Sequence, residues 1–304
     1  MSFNITILGS SSATPTLTRH PSAQYFCFGS RAFLIDCGEG TQTQILRYGL
    51  KPNRIEKIFI SHLHLDHWLG LAGLLSTFSL NGRTSPLHIY APDGLQQIME
   101  AQFHYTQFYL TYPLYFNTLQ PAETLQTIFE DEYICIKTIN VKHRIACWAF
   151  VFTEKKSYLK IDKDKIEGNN IPLKAFSSFR LGENYIDENG KNWLFKDFTL
   201  PRMPNAAYIY FTDTIYLPEL IPQLPKNALL YHEATFMHEL KHKTGTTMHS
   251  TTIEAAQFAK AAQAKQLIIG HFSSRYGDLQ PLQEEARTVF PETHLAIEGT
   301  TFTI

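Results

Sequence analysis

Short apolar runs rich in β-branched and aromatic residues recur along the first third of the chain: FNITILG, AQYFCFG, AFLIDCGEG, KIFISH and LHIYAP. Each is bounded by Gly, Ser, Asp or Pro, and that combination predicts strands closed by turns. Between them GTQTQILRYG and LGLAGLLSTFSL read as helices, the second apolar on most faces and so expected to be well buried. Strand patterns continue from YPLYFNTL through YICIKTINVKH to CWAFVFTE. The last hundred or so residues alternate again, with strands AAYIYFTDT, LLYHEATF and KQLIIGHF around the helix STTIEAAQFAKAAQA, then a final helix and strand. Two βα-rich halves, each supplying one sheet face, predict an α/β fold: an αββα sandwich with helices on both outer layers.

Residues 154–200 break this rhythm with polar, Lys-rich sequence. Between Lys155 and Arg180 there are seven basic residues against three acidic ones. Such a run reads either as a solvated surface insertion or as a protruding arm that grips a polyanion. Internal repeats, low-complexity tracts and flexible linkers are not evident, so residues 1–304 are expected to form a single domain, with 154–200 inserted in it as an arm.

Composition adds limits rather than direction. Hydrophobic residues make up 44%, charged residues 18% and aromatics 13%, an ordinary globular profile. A net charge of −1 gives no overall argument for nucleic acid, so a polyanionic partner needs a local basic patch. No segment approaches the ~20 apolar residues of a membrane span, and the N-terminal stretch lacks a secretory pattern. The four cysteines are widely spaced with no C-x-x-C pair, which suits reduced thiols in a cytoplasmic protein. Cys37 reads as a packing residue.

The chemistry concentrates in IFISHLHLDHWLGL, residues 58–71. His62 and His64, two apart at a strand end, can direct their rings to the same side. Asp66 and His67 continue into the turn and can reach a second position. Imidazoles and carboxylates are the ligands of catalytic zinc, whereas calcium and magnesium favour oxygen shells, although His/Asp sites accept several divalent ions. Four such groups within six positions are hard to explain as packing. One short motif cannot close two metal shells, so later candidates matter. His143, Asp213 and His271 each end an apolar strand. Singly, each could cap a turn; together they share the strand edge at which open sheets gather functional loops.

HLHLDH, followed at long intervals by His, Asp and His at strand ends, resembles the metallo-β-lactamase superfamily and its fold. DCGEGTQ (36–42), HEAT (232–235), MHST (248–251) and HFSSRY (271–276) resemble ribonuclease Z within it, the endonuclease that matures tRNA 3′ ends. The first motif marks only the superfamily; the other segments are the discriminating ones. The resemblance implies two Zn2+ per chain: His62, His64 and His143 on one, Asp66, His67 and His271 on the other, and Asp213 bridging both. It makes Glu233 and His249 a pair beside the scissile bond, with His249, positioned by Glu233, as general acid. Asp66 would orient or deprotonate the nucleophile while ligating. Zinc lowers the pKa of bound water from ~15.7 towards ~7, and paired ions relieve charge on a phosphoryl group.

The implied activity is a zinc-dependent endoribonuclease that removes the 3′ trailer from precursor tRNA, leaving a 3′-OH on the tRNA and a 5′-phosphate on the trailer. The family is commonly a homodimer in which one subunit's arm presents tRNA to the other's site. Arg275 either meets substrate phosphate or forms a structural ion pair. Lys155, Lys156, Lys160, Lys163 and Lys165 are the arm's candidate contacts. FRLGENYIDENGK resembles the end of the arm of bacterial relatives, but the Gly-Pro pair of that arm is absent between Lys155 and Arg180. Thr212 stands where a Gly usually precedes the bridging Asp. A small-molecule hydrolase on the same scaffold, a cyclic-nucleotide phosphodiesterase or a sulfatase-like enzyme, would use the same ligands; the Lys-rich insertion and the HEAT and MHST segments favour tRNA. A non-catalytic RNA-binding module would have lost ligands that are all present here.

Overall fold

The computed structural model describes residues 2–155, 158–201 and 205–304. In chain order, β1 (Phe3–Gly9), β2 (Ala23–Phe28), β3 (Arg31–Cys37), β4 (Ile55–Phe59), β5 (Leu87–Ala91) and β6 (Leu114–Thr118) build most of a first sheet. A second sheet begins with β7 (Gln126–Glu130), β8 (Ile134–Val141) and β9 (Cys147–Glu154). The small hairpin β10 (Tyr185–Ile186) and β11 (Asn192–Trp193) belongs to the insertion. The second sheet is completed by β12 (Ala207–Phe211), β13 (Leu229–Glu233), β14 (Gln266–Gly270) and β15 (Thr293–Leu295). Finally β16 (Thr301–Thr303) returns to the first sheet beside β1.

The alternation along β3 shows why two sheets stack. Phe33 and Ile35 join the core that includes both sheets, whereas Ala32 and Leu34 face the layer shared with helices, the period-two consequence of a pleated strand. The inner layer is aromatic: Phe26 stacks on Phe152 at 4.8 Å, and Phe59 meets Phe150 at 5.5 Å. The helices Thr41–Arg47, Leu71–Leu80 and Leu95–Thr106 cover the first sheet with Ile45, Leu74, Leu75, Phe78 and Met99. Thr252–Ala261 and Gln280–Arg287 cover the second with Phe258 and Leu282. Each fully buried Leu or Phe contributes about 2 kcal/mol. The architecture is the αββα sandwich read from the sequence.

Strand direction decides where the chemistry can gather. β3 to β6 run parallel, as do β12 to β15. β8 runs with β12, because β9 is antiparallel to both. The ends of β8, β12, β13 and β14 therefore share one edge of their sheet.

The segment between β9 and β12 is folded rather than a solvated loop. Ala175, Phe179 and Trp193 are buried in a cluster of their own with Ile161, Tyr185 and Phe198 packed around them, and Phe179 stacks on Phe198 at 5.4 Å. The short helices Ala175–Leu181 and Phe195–Phe198 carry Ala175, Phe179 and Phe198, and a third, Lys163–Ile166, follows Ile161. Lys160, Lys163 and Lys165 are exposed on this unit, and Lys155 is exposed where it begins; Lys156 lies outside the described residues. Among the described residues, no helix is long and apolar enough to cross a membrane.

Candidate metal centre

Backbone conformations at strand ends aim the candidate ligands and the Asp36 that supports them. Asp36, Asp213 and His271 adopt left-handed φ values of 55°, 45° and 57°, a region that non-glycine residues enter only when the surroundings hold them there, at about 1–3 kcal/mol each. All three lie at or just past the end of an inner strand. The loop carrying His62 to His67 is pressed against the turn after β3. A Cβ on Gly70 would lie 2.2 Å from the Gly38 carbonyl oxygen, and one on Gly38 would lie 2.4 Å from that of Asp66. No side chain fits at either position.

The structure brings the seven ligand candidates together in two sets. His64 Nδ1 is 3.0 Å from His62 Nε2 and 3.2 Å from His143 Nε2. Asp213 Oδ1 lies 3.8 Å from His62 Nε2 and 3.7 Å from His143 Nε2. The other oxygen of Asp213, Oδ2, lies 3.1 Å from His67 Nε2 and 3.2 Å from His271 Nε2. Asp66 Oδ2 is 3.3 Å and 3.7 Å from the same two nitrogens. Within each set the ligand atoms lie inside 4.8 Å of one another.

Whether cations fit can be judged from the ring nitrogens. The Nε2 atoms of His67 and His271 are buried without a hydrogen-bond partner, a costly state for polar atoms unless something else occupies the space between them. The nitrogens on the far side are held. His67 Nδ1 donates to Asp36 Oδ2 at 2.7 Å and His143 Nδ1 to the Met248 carbonyl at 3.0 Å. A carboxylate or carbonyl only accepts, so both rings carry a hydrogen on Nδ1, and in the neutral ring the lone pair of Nε2 faces the site. Burial lowers the pKa of His62 and of His143, favouring the neutral form that ligates. Burial alone would raise Asp66, yet the His67 ring beside it holds it far below the usual carboxylate range. The donor set, imidazole and carboxylate, fits zinc and similar borderline ions.

Glu233, at the end of β13, is fully buried. Its Oε1 accepts from His249 Nδ1 at 2.9 Å and from the Thr214 amide at 2.8 Å. Burial lowers the His249 pKa, but the Glu233 carboxylate more than offsets that and raises it to about 9. His249 is held from behind as well: Thr251, two residues on, caps the helix Thr252–Ala261 in a reciprocal bond with Glu254. The final Thr of MHST is thus a helix cap. A cleft of about 310 Å³ opens over the centre, lined by Asp66, His143, Asp213, His249, His271 and Arg275 among others.

Arg275 sits exposed on the rim. Its guanidinium lies 5.2 Å from the Phe236 ring centroid and its Nε donates to Ser273 Oγ at 3.0 Å. It forms no ion pair among the described residues, so its charge faces the cleft. Lys155, Lys160, Lys163 and Lys165 do not line this cleft. Lys155 pairs with Glu130 at 2.5 Å and Lys165 with Asp162 at 3.7 Å. Cys37 is buried, its thiol pushed up to about 12 by burial, as suits packing.

The supporting roles of two residues, Asp36 and Thr212, escaped the sequence reading. Asp36, within DCGEGTQ, accepts from the amide and hydroxyl of Ser61, from His67 and from the Tyr210 hydroxyl. Its signal was available: an Asp ending the apolar run FLIDC, the same mark that singles out Asp213. Thr212, in the place of the usual Gly, donates its hydroxyl to Asp213 Oδ2 at 2.8 Å.

Comparison with known proteins follows the same lines. The family model Anti-Pycsar protein Apyc1 matches residues 3–166, a span that holds β1 to β6, HLHLDH and His143. Ribonuclease Z of Bacteroides thetaiotaomicron is 39% identical over 302 residues, covering 99% of this chain and 95% of that protein. Ribonuclease Z of Cytophaga hutchinsonii is 41% identical over 303 residues, covering 99% and 96%. The crystal structure of human tRNase Z, short form, superposes with a TM-score of 0.71 at 28% identity, covering 98% of both chains. The metallo-β-lactamase fold protein YhfI of Bacillus subtilis reaches 0.70 at 21% identity, a likeness of fold. With close to two residues in five identical along nearly its whole length, the chain belongs to the ribonuclease Z family and has the metallo-β-lactamase fold.

Proposed function

We propose that this protein is a zinc-dependent endoribonuclease that removes the 3′ trailer from precursor tRNA, leaving a 3′-OH on the tRNA and a 5′-phosphate on the trailer. The observation that carries the reading is the position of His249. It is bonded to Glu233 on the wall of the same cleft onto which both ligand sets open, where an acid is needed if a ribose oxygen is to leave.

His62, His64 and His143 would hold one zinc, Asp66, His67 and His271 the second, with one oxygen of Asp213 for each. When bound, the paired ions supply a nucleophilic water near neutral pH and positive charge for the phosphoryl oxygens. The rest falls to the chain. Asp66, its Oδ2 held by the Ala13 amide at 2.9 Å, orients the attacking water. His249 donates its proton to the departing 3′ oxygen, and Glu233 keeps it charged and aimed. Arg275 meets a substrate phosphate at the rim.

Residues 154–200 act as an exosite arm within one hydrolase domain, with Lys155, Lys156, Lys160, Lys163 and Lys165 towards the tRNA backbone. Because Lys155, Lys160, Lys163 and Lys165 do not line their own cleft, they are best used in a homodimer, each arm serving the partner's site. A cytoplasmic location accords with the substrate and the unpaired cysteines.

Incubating purified protein with labelled precursor tRNA, with and without a chelator, tests this directly. A single cut at the 3′ end of the mature tRNA, lost on chelation, is the expected result. Hydrolysis of small chromogenic phosphodiesters with precursor tRNA left intact would replace it with the small-molecule phosphodiesterase reading.

A further inference from the structure

The two oxygens of Glu233 serve different partners. While Oε1 holds His249, Oε2 accepts the hydroxyl of Thr235 at 2.6 Å. The same hydroxyl oxygen lies 3.0 Å from His271 Nδ1 and 3.0 Å from the His271 carbonyl oxygen. A threonine hydroxyl has one proton to give and two lone pairs to receive with. The contact with Glu233 is the shortest of the three and leads to an ionised acceptor, so it takes the proton. Towards the imidazole the hydroxyl can then only accept, and His271 Nδ1 must carry the hydrogen. Its Nε2 is left as the lone-pair nitrogen, and that atom is the buried, unpartnered one 3.2 Å from Asp213 Oδ2.

We propose that Thr235 is a positioning residue that links the second ligand set to the acid pair: one hydroxyl holds His271 in its ligating tautomer and steadies the carboxylate that aims His249. Among the described residues, no other side chain bonds His271 Nδ1. The first ligand set is independent of it. His143 is fixed by the Met248 carbonyl and His62 Nδ1 lies 3.0 Å from the Ser61 hydroxyl. The parallel register of β13 and β14, which pairs Glu233 with Gly270, brings residues 233, 235 and 271 within reach of one another.

The inference rests on the two-cation reading above. The test is titration of metal-free wild type, Thr235→Val and Thr235→Ser with zinc against a chromogenic chelator, with thermal unfolding followed in parallel. Wild type should bind two ions. Thr235→Val should keep one at wild-type affinity and bind the other about 10- to 100-fold more weakly, the usual effect of losing an orienting partner. Thr235→Ser should restore the second, because it restores the hydroxyl. Should the Val variant fail to fold, Thr235→Ala carries the same comparison. Wild-type affinity for both ions in the variant lacking the hydroxyl, equal weakening of both, or no rescue by Ser overturns the assignment. A wild type that binds fewer than two ions overturns the two-cation reading itself.

Discussion

Asp36 Oδ2 and His67 Nδ1 are 2.7 Å apart, both side chains fully buried, so a residue outside both candidate ligand sets fixes the ring of one inside them. Replacing Asp36 by Asn should weaken zinc binding about 10- to 100-fold at the site that includes His67. Replacing it by Ala leaves the Ser61 amide and the Tyr210 hydroxyl without an acceptor and should cost about 3 kcal/mol of stability. Chelator titration checks the first expectation and urea unfolding the second.

Asp66 lies at the cleft surface and accepts from the Ala13 amide, so it carries little of the fold. Asp66→Ala should bring cleavage of precursor tRNA below detection while the Tm stays close to that of the wild type. Wild-type turnover in this variant would contradict its place in the mechanism.

His249→Ala should lower kcat by about 10²- to 10⁴-fold, the usual contribution of a positioned acid or base, with KM little changed. A contact made only in the transition state behaves in this way. A rise in KM alone would remove His249 from the chemistry.

The His249 proton gives a pH signature. With its pKa raised to about 9 by the Glu233 carboxylate, the imidazolium persists through neutral pH and is lost as the pH rises through that value. The alkaline limb of the rate profile should therefore fall near there. Glu233→Gln removes the anion that holds the proton, so the limb should move to lower pH; an unmoved limb would mean that another group sets it.

The arm enters and leaves between neighbours, since the Glu154 amide donates to the Ala206 carbonyl at 2.8 Å and Ala207 pairs with Thr153. Replacing residues 155–205, the stretch between β9 and β12 that holds most of the insertion, by a short turn should leave the sandwich intact. Precursor tRNA should bind more weakly and with a flatter salt dependence, because fewer phosphates are neutralised. Small chromogenic phosphodiesters should still be hydrolysed; their loss would make the segment structural.

The main lines of fold and site were legible in the sequence because they are written in local pattern. The apolar strands lie within about three residues of their predicted ends, and His, Asp and His follow them at the edge. What stayed hidden depends on which strands become neighbours. Thr235 sits inside a recognisable motif, but its bond to His271 exists only through the pairing of β13 with β14. The helix Leu95–Thr106 was not foreseen: it buries only Leu95 and Met99, too narrow a stripe to stand out. The arm hid its core in the same way, with Ile161, Phe179, Trp193 and Phe198 scattered without a period.

Gly38 and Gly70 donate nothing to a cation, yet each has a carbonyl oxygen where a methyl group would go. A library of single substitutions should find these two positions as intolerant as the histidines. Even alanine would wedge the HLHLDH loop away from the DCG turn and carry His67 off its carboxylate.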